Sequence, residues 1–107
     1  MGTLRKDEYM THGIRRLVLD VLKPHSPMLP DLAVMLARDP RVTGVNITLK
    51  EVDQNTESIS VTLEGEDLSF DALKTILEDA GAVIHSIDQV LAGRRIVENV
   101  PLQPEDD

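Results

Sequence analysis

The chain is 107 residues long, carries a formal net charge of −8 and contains no cysteine. That length gives one domain with one core, and the missing thiols exclude a disulfide framework, a thiolate zinc site and a cysteine nucleophile. The acidic balance opposes phosphate backbones, so nucleic acid is a poor partner and cations are the natural counterpart.

Phe70 and Tyr9 are the only aromatic residues, so the core must be aliphatic. No apolar stretch is long enough for a bilayer and no signal peptide is recognisable. A soluble cytoplasmic protein with no membrane partner is the default expectation. Residues 1–12 are polar and aperiodic, and 101–107 form an acidic, proline-containing stretch. Both are predicted to be flexible tails around a domain spanning 13–100.

The first predicted strand is Ile14 to Leu22, with Leu17, Leu19 and Val21 on one face and Arg16, Val18 and Asp20 on the other. Lys23-Pro24-His25-Ser26-Pro27 breaks it, because prolines remove donors and disfavour helix at the residues before them. A helix follows from about Met28 to Arg38, its apolar stripe made by Leu29, Leu32, Ala33, Leu36 and Ala37. The second strand, Val42 to Asp53, alternates Val45, Ile47 and Leu49 with Asn46, Thr48 and Lys50. After a turn at Gln54 to Glu57, Ile59, Val61 and Leu63 alternate with Ser60, Thr62 and Glu64 in the third.

Ser69 is a predicted N-cap for a second helix, with Phe70, Leu73, Ile76, Leu77 and Ala80 facing inward and Gly81 closing it. The fourth strand is Ala82 to Leu91, and a short extended piece, Arg95 to Val100, follows Gly93. Strand-helix-strand used twice and joined by a hairpin is the α+β, ferredoxin-like βαββαβ sandwich. Right-handed crossovers set the order 4-1-3-2, all antiparallel, with both helices on one face. Strict alternation then puts Ile84, Ser86, Asp88 and Val90 on the open face and His85 beneath the helices or near a strand end. Val18, Ile84 and Val90 would form an apolar strip there, a surface for a second copy of the chain. The plainer reading is that a few exposed aliphatics are ordinary.

Three segments, Arg16 to His25, Gly44 to Leu49 and Ile84 to Asp88 with Val90 and Ala92-Gly93, make the chain resemble an uncharacterised, mainly archaeal family, domain of unknown function 211. The likeness covers Gly13 to Val100. It implies the ferredoxin-like fold and ring-like homo-oligomers, and it implies no established activity.

Three groups of residues carry candidate chemistry. Asp20 and Asp88, with Ser86, offer oxygens suited to calcium or magnesium; a hydrogen-bonded pair or two solvated side chains is the simpler account and stands ahead of it. His25 lies in the first strand-to-helix loop with Met28, where an imidazole and a thioether fall short of a soft metal site and where Met28 more plainly covers the core edge. His85 is either a core histidine bonded to a carbonyl or a base or ligand reachable from a cleft. Asn46 is a polar group on the open face that either meets a ligand or bonds across strands.

No dinucleotide fingerprint, P-loop or nucleophile elbow is present. The sheet lacks the aromatics on which members of this fold stack bases. Two readings remain, and the leading one is a non-catalytic homo-oligomeric module binding a small ligand or divalent cation. The alternative is a small enzyme combining His25 or His85 with Asp20 at a subunit boundary.

Overall fold

The computed structural model describes residues 13–101. The expected tail at 1–12 and all but the first residue of the expected tail at 101–107 lie outside the described residues. The elements follow one another as β1 (Ile14–Pro24), α1 (Leu29–Ala37), β2 (Val42–Val52), β3 (Thr56–Leu68), α2 (Phe70–Asp79) and β4 (Val83–Ala92). The sheet order is β2-β3-β1-β4 with every neighbouring pair antiparallel, which is the expected order read from the other edge.

Alternation explains the core. Leu17, Leu19 and Val21 on β1 and Ile59, Val61 and Leu63 on β3 are buried, and Leu32 and Leu36 of α1 with Leu73 and Leu77 of α2 close over them. Each such side chain contributes about 1.5–3 kcal/mol by leaving water. The two central strands therefore carry the core, while β2 and β4 remain edges.

The helices start and stop as their residues dictate. Pro30 stands in the first turn of α1, where its missing N–H costs nothing. Ser69 caps α2, its Oγ accepting from the Ala72 amide at 3.1 Å, a contact worth about 1 kcal/mol. Gly81 ends the helix with φ +85, in the left-handed region that glycine enters without a steric penalty. Among the described residues no helix is long and apolar enough to cross a membrane.

Three expectations need correction. β1 continues through Lys23 to Pro24, which pair with Glu57 and Thr56; the first proline therefore ends the strand and does not interrupt it. Met28 is 68% exposed and does not cover the core edge. The short piece from Arg95 to Val100 follows the sheet without joining a ladder, and its approach is tied down by Arg15, which donates to the Gly93 and Arg94 carbonyls at 3.2 and 3.1 Å.

The third correction concerns the faces of β4. Val21 pairs with Ile84, but the next rung, Asp20, pairs with Ser86; Leu19 pairs with Ile87, and Val18 with Gln89. His85 and Asp88 are each the extra residue of a β-bulge. The bulges turn a period of two into a period of three, so Ile84, Ile87 and Val90 all share the helix side. Ile84 packs against the core, and the expected open-face strip of Val18, Ile84 and Val90 does not form. With Ile84 on the helix side, the next residue, His85, takes an exposed position on the open face and does not lie beneath the helices.

Candidate binding face

The register writes the open face as rows across the sheet. Ser86, Asp20, Ser60 and Thr48 stand side by side from β4 to β2. The next row is Gln89, Val18, Thr62 and Asn46, followed by Leu91, Arg16, Glu64 and Gly44. Hydroxyls and amides therefore fill the middle of a layer that no helix covers.

Asp20 is the acidic centre of the first row. Its Oδ1 accepts from the Lys50 ammonium at 3.1 Å, and Lys50 can reach it across β3 because the β2–β3 register shifts between Leu49 and Glu51. Asp88 is not the cross-strand partner of Asp20; its Oδ1 accepts from Ser86 Oγ at 2.7 Å, and Ser86 is that partner. His85 lines a depression of about 250 Å³ together with Asp20, Leu22 and Ser58. Asp20, His85, Ser86 and Asp88 thus occupy one end of the open face. Among the described residues no three acidic or histidine side chains gather in a way that would hold a metal ion by themselves.

Asn46 sits apart from this group. Its Oδ1 accepts from Thr48 Oγ1 at 3.3 Å, and it lines a second shallow depression, about 320 Å³, with Gly44, Thr62 and Glu64. Farther along the same face, Arg16 donates through Nε to Glu64 at 2.6 Å and meets Glu98 at 3.3 Å, so the segment after β4 is held against the sheet there.

His25 belongs to a third place, the corner where the β1–α1 loop meets the β2–β3 hairpin. Its Nδ1 lies 3.0 Å from Glu57 Oε2 and its Nε2 lies 2.9 Å from the Gln54 carbonyl. Glu57 also accepts from Lys23 Nζ at 2.9 Å, and that ammonium donates to the Pro24 carbonyl at 2.7 Å. The hydrogen bond to Glu57, with the Gln54 carbonyl second, raises the His25 pKa; the same bond and the one from Lys23 lower that of Glu57.

Lys23 is the residue that sequence reasoning missed. It is 1% exposed, although its place beside Pro24 in the sequence marks a strand breaker. Alternation carried one step past Val21 puts Lys23 on the helix face, and alternation carried one step before Ile59 puts Glu57 beside it. The two are direct cross-strand partners.

Comparison with known proteins establishes kinship. Residues 15–106 match the model of domain of unknown function 211, described as an uncharacterised ArCR family. The chain is 51% identical over 89 residues to the uncharacterised protein MJ0319 of Methanocaldococcus jannaschii, covering 83% of this chain and 92% of that relative.

Proposed function

We propose that this chain, which belongs to the domain of unknown function 211 family, is a non-catalytic homo-oligomeric module that binds a small polar ligand or a divalent cation on its open sheet face. The supporting observation is the row in which Asp20 stands between Ser60 and Ser86, with Asp88 bonded to Ser86 and His85 beside the same depression. Carboxylate and hydroxyl oxygens suit a hard cation of the calcium or magnesium kind. Water or a neighbouring copy would complete the coordination shell, and the cation would displace the Lys50 ammonium from Asp20. An enzyme alternative would pair His85 with Asp20; it gains nothing from His25, whose two ring nitrogens are already engaged.

Thermal unfolding with and without calcium, magnesium and zinc tests the binding. An ion at a hundred times its dissociation constant adds roughly 2.7 kcal/mol, a rise on the order of 10 °C for a domain this size. The rise should vanish in Asp20→Asn. An unchanged melting temperature with all three ions would remove the cation from the proposal.

The homo-oligomer rests on the two sheet edges. Leu49 and Val52 on β2 are 46% and 57% exposed, and Ile87 and Val90 on β4 are each 49% exposed. Their partners Ile59, Glu57, Leu19 and Leu17 put all four on the helix side. β2 and β4 run antiparallel to each other, so β4 of one copy set against β2 of the next continues the same ladder pattern. Two different edges make the contact head-to-tail, and repetition of such a contact closes a ring when its rotation allows. Ile87→Lys should reduce the native mass to the 11.9 kDa protomer, and a wild-type chain already at that mass would refute the assembly.

A further inference from the structure

Both partners of the His25 ring are acceptors, a carboxylate oxygen and a backbone carbonyl. A neutral imidazole has one N–H and satisfies one of them, leaving its other nitrogen lone pair against an oxygen lone pair. An imidazolium satisfies both. The ring joins two separate pieces of chain, the loop after β1 and the turn between β2 and β3, and its contacts are 29 and 32 residues away in sequence.

We infer that His25 is a protonation-controlled latch that closes the β1–α1 loop onto the β2–β3 hairpin and releases the hairpin when the ring loses its proton. The charged groups acting on the ring are Glu57 from β3 and Lys23 from β1; the hairpin turn contributes the Gln54 carbonyl. Lys23 keeps Glu57 charged and in place in either state, so release of the ring does not release the buried pair. What opens is the turn. Its own backbone bond, from the Asp53 amide to the Thr56 carbonyl at 2.8 Å, loses the brace at Gln54. Val52, the cross-strand partner of Glu57, ends the β2 edge at the same place, so the latch also sets the order of that edge.

The sign follows from the two groups. The His25 pKa is raised on folding, so its contribution is complete below the ordinary histidine value of about 6.5 and fades as pH climbs through the higher folded value. The Glu57 pKa is lowered, so its contribution is complete above about 4.3 and fades as pH falls through the lower folded value. The latch is therefore closed from roughly pH 5 to 6.5 and opens on the alkaline side.

Amide hydrogen exchange reads this directly on the full chain at pH 5.5 and 8.5, after correction for the intrinsic pH dependence of exchange. Protection of the Asp53 amide should fall several-fold at the higher pH while Val61 and Leu77 hold theirs. In His25→Gln it should be low at both pH values. Equal Asp53 protection in the wild type at both values, or a surviving pH dependence in His25→Gln, overturns the latch. Nitrogen-15 shifts of the His25 ring in the wild type supply a readout that needs no variant: both nitrogens protonated at pH 5.5 supports it, and a single neutral tautomer there overturns it.

Discussion

Lys23→Ala is expected to lower the unfolding free energy by about 3 kcal/mol. Lys23 is 1% exposed and its ammonium rests on two oxygens, Glu57 Oε1 and the Pro24 carbonyl. Truncation removes the four-carbon stem that lies on the helix side, leaves a void, and takes the ammonium away from the Glu57 carboxylate, which keeps only His25. Lys23→Met separates these causes, because it keeps most of the stem and deletes only the charge; its loss should be the smaller of the two. Lys23→Met combined with Glu57→Leu should recover much of the stability, since a buried ion pair exchanged for apolar groups of similar volume is often neutral or better. Urea unfolding checks all three. A Lys23→Ala protein within roughly 0.5 kcal/mol of the wild type, the range of ordinary surface changes, would sink the account.

The same residue marks how far the fold was legible in the chain. Elements set by an unbroken period could be read directly: Leu17, Leu19 and Val21, then Ile59, Val61 and Leu63, then the stripe Leu73, Ile76 and Leu77 behind its Ser69 cap. Lys23 and Glu57 obey the same alternation, but a charged residue beside a proline reads as a loop until its partner is known. A charge on a buried face is tolerable only when paired, and pairing is a property of register that one strand does not reveal.

β4 failed for a different reason. A bulge adds one residue and shifts every later side chain to the other face, so two residues, His85 and Ser86, lie on the open face between Ile84 and Ile87, and two more, Asp88 and Gln89, between Ile87 and Val90. The spacing of three between Ile84, Ile87 and Val90 does not fit the period of two of a flat strand. Of the candidate site, Asp20, Asn46, Ser86 and Asp88 lie on the open face as alternation predicts, and His85 is the one that does not lie on its expected side. His25, a candidate ligand-binding residue whose loop falls short of a soft metal site, bonds to Glu57 and Gln54.

Gly65→Ala should destabilise the protein by about 2–3 kcal/mol, although one methyl is added and nothing is removed. Gly65 is buried in β3 opposite Val42, and a Cβ there would overlap the Arg41 carbonyl oxygen and approach Leu68 Cδ2 at 2.8 Å. A side chain could rotate away, but the Arg41 carbonyl is backbone. The turn around it is fixed twice, by the Val42 amide donating to the Asp39 carbonyl at 3.0 Å and the Arg41 amide donating to Asp39 Oδ1 at 2.9 Å. Accommodation therefore means shifting the start of β2, with the Thr43 bond to the Glu64 carbonyl at 3.1 Å. Gly44→Ala is the control, two residues past Val42 on the open face, where an added Cβ meets nothing within 4 Å. That change should stabilise by about 0.5 kcal/mol, because alanine loses less backbone freedom than glycine on entering a strand. Opposite signs for the two substitutions in the same urea titration would place the constraint at the β2–β3 contact, and equal losses would assign both to strand pairing in general and remove the special role given to Arg41.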